Sequence, residues 1–328
     1  MALPYKKEIY MSRLLNHYAN LHTHSTHSDG FYAPDELVRI AKEIGYGAIA
    51  LTDHDTVSGN PIMKRECERL GIEYVFGAEF YARLPEAGRI IHMTGYGFDP
   101  EYPPIKEHVR KMAEKYSTPT KLLFERAISL GEIKGVSWEE VLEYNKGINW
   151  LVYSHVFNTM KAKGLITMEE RAALQERCFS TELKRSIPSM HDYADARELI
   201  RHVHDAGGIM LFAHPHGFLD YVKMLAKEGL DGLEVWHGEL DASERREALT
   251  IARDYELYVS GGDDHSGLLG GQYYRFEHPE ETRYFFPPLS LGTTQYFFEE
   301  IRDMKKKADR VDVINSLLAD DSIWQRIR

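Results

Sequence analysis

Short apolar runs that end in a polar cluster recur along the chain. Tyr18, Ala19 and Leu21 lead to His22 and His24; Ile49, Ala50 and Leu51 lead to Asp53, His54 and Asp55; Tyr74, Val75 and Phe76 lead to Glu79. Ile90 and Ile91 lead to His92; Met210, Leu211 and Phe212 to His214; Tyr258 and Val259 to Asp263, Asp264 and His265. Runs this short and this apolar suit strands covered on both faces. Helical stripes separate them. Leu37, Ile40, Ala41 and Ile44 share one face of a helix opened by Pro34 and stopped by Gly45. A second helix over 62–70 closes at Gly71, and strands are predicted over 47–51, 72–76 and 89–96. After residue 207 the alternation resumes, with strands over 209–213, 232–236 and 257–260 and helices over 221–228 and 243–255. Alternating strand and helix is the signature of a parallel sheet with right-handed crossovers.

The rhythm breaks at about Pro100. Residues 105–115, 119–130, 138–144, 155–163 and 168–178 all carry helical patterns with no strand between them, and Pro119 predicts a break. We therefore expect a helical insertion over 101–180 within a discontinuous barrel domain formed by 1–100 and 181–328. About seven strands with polar residues at their C-terminal ends point to a distorted (β/α)7 barrel, whose site lies on that face. A doubly wound sheet competes, but histidines stand after the first strand where its glycine-rich phosphate loop belongs.

Composition narrows the function. The 328 residues are 43% hydrophobic, and the formal net charge is −11. That charge argues against a broad surface for long duplex nucleic acid, but not against anionic substrates, because bound cations add local positive charge. No apolar stretch reaches ~20 residues, so no membrane span is expected. No secretory leader is read at the N-terminus, and Cys67 and Cys178 are too few and too distant for a disulfide framework, which fits a cytoplasmic protein.

His22 and His24 lie two apart at a strand end and so face the same side; with a nearby carboxylate they suit zinc, manganese or iron. The whole set, HTHSTHSDG at 22–30, LTDHDT at 51–56, GAEF at 77–80, His92, SHVF at 154–157, AHP at 213–215 and GGDDHSG at 261–267, resembles the PHP (polymerase and histidinol phosphatase) superfamily of metal-dependent phosphoesterases. The helical insertion is similar to that of the branch acting on nucleotides and short RNA ends. The resemblance implies two or three divalent ions. His22, His24, Glu79 and Asp263 would hold one; Glu79, His92 and His155 a second; Asp29, His54 and His265 a third. It implies a hydroxide nucleophile generated at neutral pH by coordination of water. His214 would bind phosphate or protonate the leaving oxygen, while His216 and His237 would line the pocket.

Three departures bear on the substrate. Asn20 stands where many relatives carry an aspartate that supports a ligand histidine. Relatives that cleave nucleotides often carry arginines near positions 152–154 and 216–218, where this chain has Val-Tyr-Ser and His-Gly-Phe. Asp53, Asp55 and Asp264 are read as groups that orient ligands or cap helices, and His27, His202, His204 and His278 as surface groups. The aromatic run from Tyr273 to Phe286 is read as packing, with base stacking as its alternative. The leading expectation is a phosphoesterase acting on a phosphomonoester or terminal phosphodiester of a nucleotide or short oligonucleotide. A phosphatase of a small metabolite, a non-catalytic PHP module and an amide hydrolase remain as alternatives.

Overall fold

The computed structural model describes residues 14, 16–189, 191–264, 292–321 and 324. Its strands are β1 (His17–Asn20), β2 (Ala48–Leu51), β3 (Glu73–Leu84), β4 (Arg89–Tyr96), β5 (Ile209–Phe212), β6 (Gly232–Trp236), β7 (Tyr258–Gly261) and the short β8 (Thr293–Thr294). They form one sheet in chain order from β7 back to β1, with β8 added beyond β1. The two edges meet. Leu21 N–H donates to the Gly261 carbonyl at 3.3 Å. Gly261 N–H donates to Thr293 Oγ1 at 2.9 Å, and that hydroxyl donates back to the Gly261 carbonyl. The sheet is thus a nearly closed, distorted barrel rather than an open doubly wound sheet.

The pairing is parallel from β1 to β3 and from β5 to β7, as alternation predicts. It is antiparallel on both sides of β4. That corrects the expectation of a helix after every strand. Strand β3 runs well past Phe76 to Leu84 and returns directly through the turn at Pro85–Ala87. Its alternating second half, with Phe80, Ala82 and Leu84 buried and Tyr81 and Arg83 less so, pairs throughout with β4.

Side-chain alternation sorts the core into layers. From β2, Ala48 and Ala50 point into the barrel beside Leu21, Tyr96 and Leu211. Ile49 and Leu51 point outward against Leu37 and Ala41 of α1 (Pro34–Ile44) and Met63 and Cys67 of α2 (Asn60–Leu70). A larger outer core packs α8 (Ala196–Asp205), α9 (Leu219–Ala226) and α10 (Ala242–Asp254) on β3 to β7.

Between β4 and α8 stand five helices: α3 (Pro103–Ser129), α4 (Trp138–Tyr144), α5 (Tyr153–Ala162), α6 (Met168–Phe179) and α7 (Thr181–Arg185). Helix α3 runs through Pro119, where a break is predicted. Thr120 Oγ1 donates to the Tyr116 carbonyl in that turn, and buried contacts on both sides outweigh the local proline cost. These helices share an apolar cluster that includes Phe124, Phe157 and Phe179 and extends to Leu183 and Ile187. No described helix is long and apolar enough to cross a membrane.

Helices α11 (Gln295–Arg302) and α12 (Arg310–Ala319) seal the far end. Arg310, 4% exposed, donates Nε to Glu300 Oε2 at 2.9 Å and also contacts the carbonyls of Ala252 and Leu257. Removing one partner of such a buried pair strands the other charge. Arg310→Met should cost about 3–5 kcal/mol in urea unfolding, and Glu300→Gln with Arg310→Met should recover a substantial part of it.

Candidate metal centre

Glu79 lies in the middle of β3 and is fully buried. Its Oε2 is 3.3 Å from His22 Nε2, 3.3 Å from His24 Nε2 and 2.9 Å from His54 Nδ1. Its Oε1 is 3.0 Å from His92 Nδ1 and 3.2 Å from His214 Nε2. Five imidazoles from three strand ends and one reversed strand therefore converge on one carboxylate. Asp264 Oδ1 joins at 2.9 Å from His24 Nε2, and Asp29 Oδ2 lies 3.7 Å from His54 Nε2.

Local structure explains the convergence. Strand β1 ends at Asn20, and the next residues carry both histidines into the barrel mouth. The loop that follows is held by Asp53, which accepts from Ser25 N–H, Ser25 Oγ and Ser28 Oγ, each at 2.6 Å. Gly262 passes so close to His22 that a Cβ there would lie 2.4 Å from the His22 backbone nitrogen. That approach lets Asp264 N–H donate to the His22 carbonyl at 3.0 Å and turns its carboxylate inward. Asp55, His214 and Asp264 all hold positive φ, at 48°, 30° and 51°. Left-handed backbone at non-glycine residues is strained, and it gathers here around the cluster.

The donor set fits divalent cations. Metal–ligand bonds of about 2.0–2.2 Å place neighbouring ligand atoms about 3–3.5 Å apart, and the separations from His22 and His24 to Glu79 and Asp264 are 2.9–3.5 Å. Glu79 Oε2, His54 Nδ1, His24 Nδ1 and Asp29 Oδ1 are buried without a hydrogen-bond partner. Such atoms cost about 1–3 kcal/mol each unless something satisfies them. Four adjoining groups of the described residues could each hold an ion: His22, His24, Glu79 and Asp264; His24, Asp29 and His54; His54, Glu79 and His92; and His22, Glu234 and His237.

Burial is the largest influence on these groups and opposes charge, but pairing overrides it. The carboxylates of Glu234, Glu79 and Asp264 carry His22 well above the ordinary imidazole value, and Asp264 and Glu79 do the same for His24. Glu79 brings His214 up to about 9. Glu79 itself is held well below the usual carboxylate range by His22, His54 and His92.

Sequence reasoning and structure part at several residues. Asp264, not Asp263, faces His22 and His24. Asp263 follows the end of β7 and donates its N–H to Asn20 Oδ1 at 3.3 Å, while the left-handed backbone of Asp264, at φ 51°, turns that carboxylate inward. His155 is set apart from the cluster. Its Nδ1 accepts Val152 N–H at 2.9 Å, its Nε2 lies 3.0 Å from the Thr26 carbonyl, and burial pushes its pKa down to about 4. With one nitrogen accepting and the other donating, no lone pair remains for an ion. His216 is 61% exposed and bonded to Glu244 at the rim. His237 is buried beside the cluster, its Nε2 3.8 Å from Asp264 Oδ2. His27 is buried and within 2.8 Å of Ser58 Oγ rather than on the surface. His265, His278 and the aromatic run at 273–286 lie outside the described residues.

Glu234 was missed altogether. It is fully buried in β6; its Oε1 lies 2.8 Å from His22 Nδ1 and its Oε2 accepts His214 N–H at 2.7 Å. It supplies the charged support for a ligand histidine that Asn20 lacks. The signal available was a lone acid in the apolar strand Gly-Leu-Glu-Val-Trp.

Two outcomes follow for metal binding. Glu234→Gln should weaken divalent-ion affinity about 10–100-fold in calorimetric titration while the fold persists. Imidazoles held above their ordinary pKa are protonated at about pH 7 without metal, so adding manganese or zinc to stripped protein should release protons. Because His22, His24 and His54 must lose their protons to bind, affinity should rise with pH above the ordinary imidazole value and fall in acid.

The model of the PHP domain matches residues 20–234. The chain is 28% identical over 255 residues to a phosphoribosyl 1,2-cyclic phosphate 1,2-diphosphodiesterase of Eggerthella lenta, covering 76% of this chain and 95% of that protein. It is 27% identical over 256 residues to the 5′-3′ exoribonuclease Rnm of Salmonella typhimurium, covering 75% of this chain and 84% of that protein. A crystal structure from Bifidobacterium adolescentis, described as that of a metal-dependent phosphoesterase, superposes with a TM-score of 0.67 at 25% identity over 89% of this chain and 98% of that one. With that domain match spanning most of the barrel and its whole histidine cluster, the chain belongs to the PHP domain family.

Proposed function

We propose that this chain hydrolyses a phosphate ester of a nucleotide or short oligonucleotide, at a phosphomonoester or a terminal phosphodiester, using two or three divalent ions. The observation that carries the reading is the Glu79 cluster, a set of nitrogen and oxygen donors spaced for adjoining cations. Manganese, zinc and iron all suit it. Ions held there supply Lewis-acid charge for a phosphoryl group and a hydroxide nucleophile at neutral pH.

The chain's own residues do the rest. Glu79 faces His22, His24 and His54 at once through one oxygen and holds their spacing. Glu234 fixes the ring of His22 and, through the same carboxylate, the backbone of His214. His214 stands at the edge of a cavity of about 590 Å³ that also meets His92 and Glu239. Its position there suits holding a phosphoryl oxygen or protonating the leaving oxygen. The helices over 101–180 act as a lid unit on the barrel formed by 1–100 and 181–328. An apolar core of their own, from Leu123 to Phe179, supports a separate unit, while Ile105 and Val109 join the barrel core and Leu183 and Ile187 join the core of the insertion. We also place the protein in the cytoplasm, a setting consistent with the buried free thiols of Cys67 and Cys178.

The relatives named as exoribonucleases and as a 3′,5′-nucleoside bisphosphate phosphatase favour the nucleotide reading over a small-metabolite phosphatase; the relative named for a phosphoribosyl cyclic phosphate acts on a sugar phosphate. Phosphate release from 5′- and 3′-monophosphates, 3′,5′-bisphosphates and short RNA, with manganese added, should exceed that from sugar phosphates. Glu79→Ala should lower it by at least about 10²-fold, at or beyond the top of the 10–100-fold loss typical of an outer partner. Sugar phosphates preferred over every nucleotide, in metal-loaded protein, would sink the nucleotide reading.

A further inference from the structure

Tyr81 lies two residues beyond Glu79 in β3, on the same side of the strand, and pairs in register with His92 of β4. It belongs to none of the candidate ligand groups, yet its ring borders them on two sides. It is stacked on the His54 imidazole, with ring centres 4.6 Å apart and planes 20° apart. It meets the His92 ring edge-on, at 4.4 Å and 90°. Tyr116 and Tyr193 flank it, with ring centres 5.7 Å and 6.0 Å away. Stacked and perpendicular ring pairs are the favoured arrangements. Four neighbouring rings thus fix the orientation of the phenol.

Its hydroxyl is not used in the same way. The hydroxyls of Tyr116 and Tyr193 bond each other at 2.9 Å. His54 turns its nitrogens to Glu79 and Asp29, and His92 turns Nδ1 to Glu79. Among the described residues none accepts the Tyr81 O–H. A tyrosine hydroxyl set among packed rings ordinarily finds a partner. Nor is this residue sealed off. It is partly exposed, whereas Glu79, His24 and His54 beside it are buried. The protein holds the ring and leaves the hydroxyl for something else.

The chemistry of a phenol narrows what that is. At neutral pH it keeps its proton and is a hydrogen-bond donor without charge. It therefore suits an anionic oxygen rather than a cation. Beside His54 and His92, such an oxygen belongs to a phosphoryl group held by the same cluster. Donors fixed before the reaction, at oxygens where charge gathers, stabilise the transition state without reorganisation. No arginine stands at 152–154 or 216–218 to offer that hydrogen bond.

We propose that Tyr81 is a further catalytic residue, whose hydroxyl donates to a phosphoryl oxygen of the substrate while its ring fixes His54 and His92. The inference rests on the phosphoesterase reading above and is independent of the leaving group.

The test removes one oxygen and keeps the ring. With manganese added, Tyr81→Phe should lower kcat on p-nitrophenyl phosphate and bis(p-nitrophenyl) phosphate by about 10–100-fold, the worth of a hydrogen bond to a charged group. KM should move by less than about threefold, because the bond strengthens as charge develops. In calorimetry on manganese-loaded protein, orthovanadate, which takes the five-coordinate shape of reacting phosphorus, should bind the variant more weakly by a similar factor. Manganese affinity should stay within about twofold in Tyr81→Phe and fall about tenfold or more in Tyr81→Leu, which also loses the support of His54 and His92. Wild-type kcat and vanadate affinity in Tyr81→Phe would overturn the donor and leave the reaction standing. A loss of kcat matched by a loss of manganese affinity would also overturn it, since the hydroxyl would then act through the ions. Vanadate binding weakened by Tyr81→Phe, in a protein that cleaves no phosphate ester, would support the donor and remove the reaction. A manganese-loaded wild type that neither cleaves an ester nor binds vanadate would overturn both.

Discussion

A buried carboxylate cannot be left alone. Glu79 has no solvent contact, and an isolated charge in that position would cost several kcal/mol even after relaxation. Here it is surrounded by imidazoles from β1, β2, β4 and β5. The same electrostatics that make Glu79 tolerable hold the imidazoles at ion-binding spacing. The cost of the arrangement is visible in the backbone, where Asp55, His214 and Asp264 keep left-handed conformations around it. The barrel accepts that strain because its strands and outer helices fix every contributor independently.

The reversed strand β4 shows how the fold makes this possible. In a barrel of parallel strands, functional side chains come from the C-terminal ends. Strand β4 runs the other way, so its N-terminal half reaches the same face. His92 pairs in register with Tyr81, two residues beyond Glu79. The long β3–β4 hairpin therefore projects past the barrel rim and brings Glu79 and His92 together without a helix between them. The apolar run Ile90-Ile91 before His92 looks in the sequence like any other strand that ends in a ligand. Period-two patterning does not encode strand direction, which is why the antiparallel step was not legible.

Other parts were legible because they are local. His22 and His24 share a side by strand geometry alone, and Pro34 with Gly45, or Gly71 after residue 70, marks helix ends that the structure shows at the same places. The choice between Asp263 and Asp264 was not local. It depends on the approach of Gly262 to His22, a contact between residues at opposite ends of the barrel sequence. Glu234 was hidden for a similar reason. Its strand reads as ordinary packing, and only the fold shows that its two oxygens serve two histidines. His155 is held apart from the cluster by Val152 N–H and the Thr26 carbonyl, contacts that the SHVF motif does not reveal.

The helical segment is tied to the metal centre rather than merely placed over it. His108 of α3 lies 2.7 Å from Asp55 Oδ1, and Asp55 N–H donates to the Glu79 carbonyl at 2.7 Å. Thr56 Oγ1 donates to Asn149 Oδ1 at 2.9 Å, and His155 of α5 bonds the Thr26 carbonyl. These links run from the loops that carry His24, His54 and Asp29 to α3, α5 and the turn holding Trp150. They hold α3, α5 and that turn against the loops of the cluster. His155, buried and with its pKa pushed down to about 4, ties α5 to the loop that runs on to Asp29.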